Sequence, residues 1–100
     1  MLQVNDQNQL LCAACGGEYT HCESVESFEQ LNEDFNKSGV HVTVKGYAQI
    51  SVDCDMSGNP SHRRDGVKLT FWCEYCEKKS VLTIAQHKGN TFVEYGVRSR

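Results

Sequence analysis

Two Cys-x-x-Cys pairs constrain this chain more than any other feature: Cys12-Ala13-Ala14-Cys15 and Cys73-Glu74-Tyr75-Cys76. A two-residue spacer lets both sulfurs of a pair point at one centre from a tight turn. Four thiolates are the donor set that Zn²⁺ takes in closed tetrahedral sites, at about 2.3 Å. Gly16 and Gly17 suit the first turn, because the backbone after the second cysteine must fold back to aim its N–H groups at the sulfurs. The second pair is followed by Glu77 and Lys78 instead. Fifty-seven residues separate the pairs, more than a compact finger contains, so a sheet region inserted between two knuckles is expected.

Other chemistry fits the pairs less well. A redox Cys-x-x-Cys needs a low-pKa thiol at a helix N-terminus in a βαβ unit, and neither pair has that context. A catalytic zinc keeps an open position, usually with three protein ligands, whereas four cysteines close the site. The deaminase pattern H-x-E with P-C-x-x-C is absent. One structural Zn²⁺ on Cys12, Cys15, Cys73 and Cys76 is the expectation, with disulfides or redox chemistry as the remaining readings.

A staple is what a chain of this size needs. One hundred residues, 39% hydrophobic and 23% charged, describe a single domain with a modest core. The beginning lacks a basic segment followed by a signal-length apolar run, and no stretch approaches the roughly 20 apolar residues of a membrane span. A reducing cytoplasmic setting follows as the simplest expectation, and there clustered cysteines bind metal more often than they form disulfides. Net charge is −3, unevenly spread. Residues 1–50 hold seven acids and two bases; residues 51–100 hold six acids and eight bases. That balance speaks against broad phosphate-backbone binding.

Residues 1–9, polar and rich in Gln and Asn, read as a flexible arm, and 10–97 as one β-rich domain. The strongest strand signal is 40–54, where Val40, Val42, Val44, Ala48, Ile50, Val52 and Cys54 share one phase. Gly46 bends that strand or turns a hairpin. Val67, Leu69 and Phe71 alternate into Cys73, and Lys88-Gly89-Asn90 turns between 80–87 and 91–97. In 27–39, Ser27 with Gln30 forms a capping box, Phe28, Leu31 and Phe35 share a helical face, and Gly39 closes it. A short helix is expected there, although a strand continuing through Phe28 is also readable. The fold class is mainly β: a zinc-ribbon-like antiparallel sheet of about five strands, with a long insertion between two knuckles and one short helix.

Among the remaining residues, Cys54 in the apolar phase suggests a buried free thiol, Cys22 has no evident partner, and His41 on the polar phase reads as solvated. Asp53 and Asp55 read as solvated aspartates before a turn. The loop 55–66 is dense in turn residues and projects Arg63 and Arg64. Asn59, His62, Arg63 and Arg64, with Tyr75, Lys78 and Lys79 at the second knuckle, are the candidate partner-contact residues. The same loop also reads as a solvated one, its arginines paired with Asp55 or Asp65. Trp72 and Tyr75 either shield the metal or form an exposed aromatic anchor.

The segments "CAACGG", "SGNPSHRRDG", "FWCEYC" and "QHKGNTFVEY", in this order, resemble small, mostly uncharacterised zinc-ribbon-type proteins of bacteria and their phages or mobile elements. The likeness spans roughly residues 10–96. Proline often follows the first cysteine in such proteins, where Ala13 stands here. The resemblance implies a fold and a zinc, and an origin in mobile DNA would imply an inhibitor of a host protein or a counter-defence factor. The leading functional expectation is a non-enzymatic protein-interaction module. The alternative is a nucleic-acid-binding protein using Arg63, Arg64, Lys68, Lys78, Lys79 and Lys88; an enzyme using Cys22 ranks last. Edge strands of a small sheet can pair between copies, which leaves a homodimer open.

Overall fold

Alternating apolar residues build one six-stranded antiparallel sheet. A computed structural model describes residues 2–31, 39–46, 48–62 and 64–98. The strands are β1 (Thr20–Gln30), β2 (Gly39–Lys45), β3 (Gln49–Asp53), β4 (Gly66–Cys73), β5 (Lys79–His87) and β6 (Asn90–Val97). Their order across the sheet is β3-β2-β1-β4-β5-β6, and every neighbouring pair is antiparallel. There is no helix among the described residues.

The run at 40–54, with Gly46 expected as its bend or hairpin turn, is two strands, β2 ending at Lys45 and β3 beginning at Gln49, so six strands stand where about five were expected. The expected helix at 27–39 is corrected for Ser27–Gln30, which form the end of β1. Residues 32–38, including Phe35, lie outside the described residues. Helical spacing loses here because Phe28 inserts beside His41, its partner across β2, and becomes almost completely buried. Gly39 begins β2 rather than ending a helix.

Register gives the two faces different chemistry. Ile50, Val44, Val25, Leu69, Leu82 and Tyr95 form one row across all six strands. Val52, Val42, Ser27, Val67, Ile84 and Val93 form the next row on the same face. The opposite face presents Glu26, Phe28, His41, Thr43, Lys68, Thr70 and Thr83, and residues 56–61 of the loop lie over it. Met56 packs on Gly39, where an added Cβ would sit 2.7 Å from its sulfur. Pro60 and Asn59 press as closely on Gly66. Hydrogen bonds stitch the loop down: Ser61 Oγ donates to Gln86 O at 2.7 Å, and Gln30 N donates to Asp65 Oδ1 at 2.8 Å. The polar face is therefore the covered one.

Candidate metal centre

The two knuckles meet at one end of β1, β4 and β5. Cys73 closes β4 opposite Thr20 of β1, so the sheet itself delivers the second knuckle. The first knuckle is brought to it by the segment before β1. Thr20 Oγ1 donates to Leu10 O at 3.3 Å, and the Tyr95 hydroxyl of β6 donates to Leu11 O. Residues 3–11 double back on themselves, with Val4 bridged to Leu10.

The sulfurs of Cys12, Cys15, Cys73 and Cys76 all lie within 4.8 Å of one another. Cys12 to Cys76 is 3.7 Å and Cys15 to Cys73 is 3.6 Å. A tetrahedron with metal–sulfur bonds of about 2.3 Å has edges of about 3.8 Å. A disulfide would bring sulfurs to about 2.05 Å. The four thiols are free, and their spacing is that of ligands around an ion. The expected donor set is thus assembled in one cluster compatible with a metal site.

Backbone N–H groups face this cluster. Ala14 N donates to Cys12 Sγ at 3.4 Å and Tyr75 N to Cys73 Sγ at 3.3 Å. Gly16 adopts a left-handed φ of 79° and its N–H returns to Cys12 O, which folds the first knuckle back. Although burial opposes ionisation of Cys12, the N–H groups of Cys15 and Ala14 outweigh it, and its pKa falls to about 6. Cys15 receives the Gly17 N–H, yet its neighbouring thiols, Cys73 first, push it up to about 12. Cys76 receives the Lys78 N–H, but burial and the thiols of Cys12 and Cys73 leave its pKa raised. Cys12 thus ionises readily while Cys15 and Cys76 resist. A cation at the centre would favour loss of their protons.

Sequence patterns did not reveal the supports of this cluster. Ser80, 2% exposed, accepts from Ala13 N at 3.0 Å and turns its hydroxyl toward Cys12 Sγ at 3.9 Å. Its place beside Phe71 in the β4–β5 register is the only signal, and it is readable only after the strands are paired. Tyr95 is buried, and burial raises its pKa. Gly17 leaves room for Tyr75, whose ring carbon would lie 2.4 Å from an added Cβ.

Exposed aromatic rings surround the cluster. Tyr75 is 61% exposed and packs against Tyr19 with ring centroids 5.7 Å apart. Trp72 is 43% exposed and stacks on His21 at 4.3 Å, while His21 pairs with Glu74. Of the candidate contact residues, Lys79 is paired with Glu23 at 2.7 Å and Lys78 is exposed. His62 is exposed, and Asn59 bonds internally to Arg64 O and Gln30. Arg64 is half-buried, its N–H on Ser61 Oγ, and Arg63 lies outside the described residues. Loop and second knuckle sit toward opposite ends of β4, about 23 Å of extended chain. They are two surfaces, not one.

Two further expectations are corrected, those for Cys54 and His41. Cys54 is exposed rather than buried, since it lies just past β3 at the sheet edge; Cys22 is exposed as well. His41 is half-buried and bonded to both Asp53 and Glu26. Asp53 and Asp55 also accept N–H bonds within the turn, from Asp55 and Ser57 respectively.

Fold and site together define an open six-stranded antiparallel sheet with a four-thiol cluster at one end. Comparison with protein-family models, curated proteins and solved structures finds no match.

Proposed function

We propose that this chain is a non-enzymatic protein-interaction module stapled by one structural Zn²⁺. Four protein donors fill a tetrahedral ion, which leaves no position for substrate or water and makes the metal's role structural. Zinc suits an all-thiolate set at this spacing, and reduced thiols suit a cytoplasmic setting. The zinc-ribbon kinship, and a role as a phage or mobile-element factor acting on a host protein, belong to the same proposal and rest on the sequence resemblance.

The observation that carries the interaction reading is the aromatic cluster at the knuckles. Tyr75, Tyr19 and Trp72 are large and 61%, 48% and 43% exposed, and each is held by a ring contact, Tyr75 with Tyr19 and Trp72 with His21. Rigid aromatic groups of this kind anchor protein interfaces at low entropic cost. Glu18, Glu74 and Glu77 frame them, which favours a protein surface over a phosphate backbone. The bases of the nucleic-acid reading are scattered: Lys78 and Lys88 flank opposite ends of β5, about 26 Å of strand. Loop residues Asn59, His62, Arg63 and Arg64 form a second, separate candidate surface.

The test is capture of partners from native lysate by the zinc-loaded chain, with and without nuclease. Tyr75→Ala with Trp72→Ala is compared with Arg63→Ala with Arg64→Ala. A protein retained after nuclease and lost with the aromatic pair supports the reading. Retention by the aromatic variant but not the arginine variant moves the contact to the loop. Nucleic acid recovered, with every protein lost on nuclease treatment, replaces the reading with the nucleic-acid one.

A further inference from the structure

Among the described residues the loop after β3 covers the polar face of the sheet, while much of the apolar face stays exposed. The two apolar rows cross all six strands with Ser27 as their one polar member. Val25, Val44, Ile50, Val52 and Val93 are 36% to 68% exposed within them. Among the described residues Tyr95, near the first knuckle, is the buried member of the rows, and Val42, Val67, Leu69, Leu82 and Ile84 are half-buried. Among the described residues the buried apolar side chains are Cys12, Phe28, Met56, Cys73 and Tyr95, and none of these but Tyr95 belongs to the rows.

We propose that this face is the interface of a homodimer, two copies stacked sheet on sheet about a two-fold axis. Three observations favour a second copy as the occupant. The first is area. The chain exposes 6858 Å², whereas a compact monomer of 11.3 kDa exposes about 5,700 Å². The excess, about 1,100 Å², is larger than the roughly 800 Å² that one partner gives to a standard interface. Six strands at about 4.8 Å spacing also supply a field wide enough for face-to-face sheet packing.

The second observation is charge. The two rows contain no Lys, Arg, Asp or Glu, so an identical face meets them without like-charge repulsion. A partner recognised by charge would find nothing to pair with. The third is dependence. With so little apolar burial of its own, the fold needs its cover whenever the chain is made, and another copy is present by necessity. Pairing through the edges of β3 and β6 would leave the bare face in water. The dimer does not rest on the interaction reading: Trp72 and His21 lie on the opposite face by register and stay accessible.

Sedimentation equilibrium of the zinc-loaded full chain tests this. The expected mass at micromolar concentration is twice 11.3 kDa. Val25→Lys on central strand β1 places two like charges across the interface, and the dissociation constant should rise about 100-fold. Should that variant not fold, isotope-filtered NMR of mixed labelled and unlabelled wild-type chains decides. Intermolecular contacts among the methyls of Val25, Leu69 and Leu82 are expected. A folded monomer at these concentrations overturns the proposal. So does a dimer whose intermolecular contacts are confined to the β3 or β6 edge, or one unweakened in folded Val25→Lys.

Discussion

His41 shows how a side chain acquires its chemistry from the pairing of strands. Its Nδ1 lies 2.8 Å from Asp53 Oδ1 on β3 and its Nε2 lies 2.9 Å from Glu26 Oε1 on β1. Phe28 stacks beneath the ring at 4.4 Å. Only the imidazolium donates from both nitrogens to two carboxylates. Burial works against that charge, but the bonds to Asp53 and Glu26 prevail and raise the pKa above 6.5. A raised folded pKa contributes stability that is full below 6.5 and lost as pH rises through the folded value. Asp53 behaves oppositely: the Asp55 N–H and then His41 lower its pKa, so its share is lost on acidification. The bridge is therefore strongest between about pH 4 and 6.5. The urea midpoint of zinc-saturated protein should fall further between about pH 6 and 9 than that of His41→Gln, and the ring should titrate above 6.5 by NMR. Titration at or below that value would remove the bridge. The cysteines were readable in advance because their spacing is local. His41 was not, because its partners are 12 and 15 residues away on other strands.

Among the elements, the β5–β6 hairpin was legible and carries a correctable strain. Lys88 and Gly89 connect the paired residues His87 and Asn90, with φ of 51° and 81°. That is the primed turn which strand twist favours, and a left-handed lysine costs about 1–2 kcal/mol that asparagine largely avoids. Lys88→Asn should raise stability by about 1 kcal/mol, seen as a melting midpoint several degrees higher. An unchanged midpoint would mean that Lys88 bears no strain. Period-two alternation likewise announced β2 and β3, and Gly46 their turn. The misread residues were Ser27–Gln30, where Phe28 satisfies helical spacing with Leu31 and Phe35. Local spacing could not register that Phe28 would sit between His41 and the loop at Gly58. Nor does alternation say which face a distant loop will cover, so the bare apolar face was invisible until the strands were assembled.

For the whole molecule, the four-thiol cluster joins the beginning of the chain to the end of β4, and folding should depend on it. Structural zinc contributes on the order of 10 kcal/mol, against a usual total of about 5–15 kcal/mol. Chelation under reducing conditions should abolish cooperative unfolding and collapse the amide NMR dispersion, and added zinc should restore both. A dispersed spectrum after chelation would make the metal dispensable. The long separation of the knuckles has a further consequence during synthesis. Cys12 and Cys15 leave the ribosome 61 and 58 residues ahead of Cys73, so until then a nascent chain offers only half a coordination shell. Ser80 and Tyr95, which fix the first knuckle, arrive later still. Metal capture would thus wait on the second knuckle, and a product truncated before Cys73 would carry its thiols unlatched and open to proteolysis.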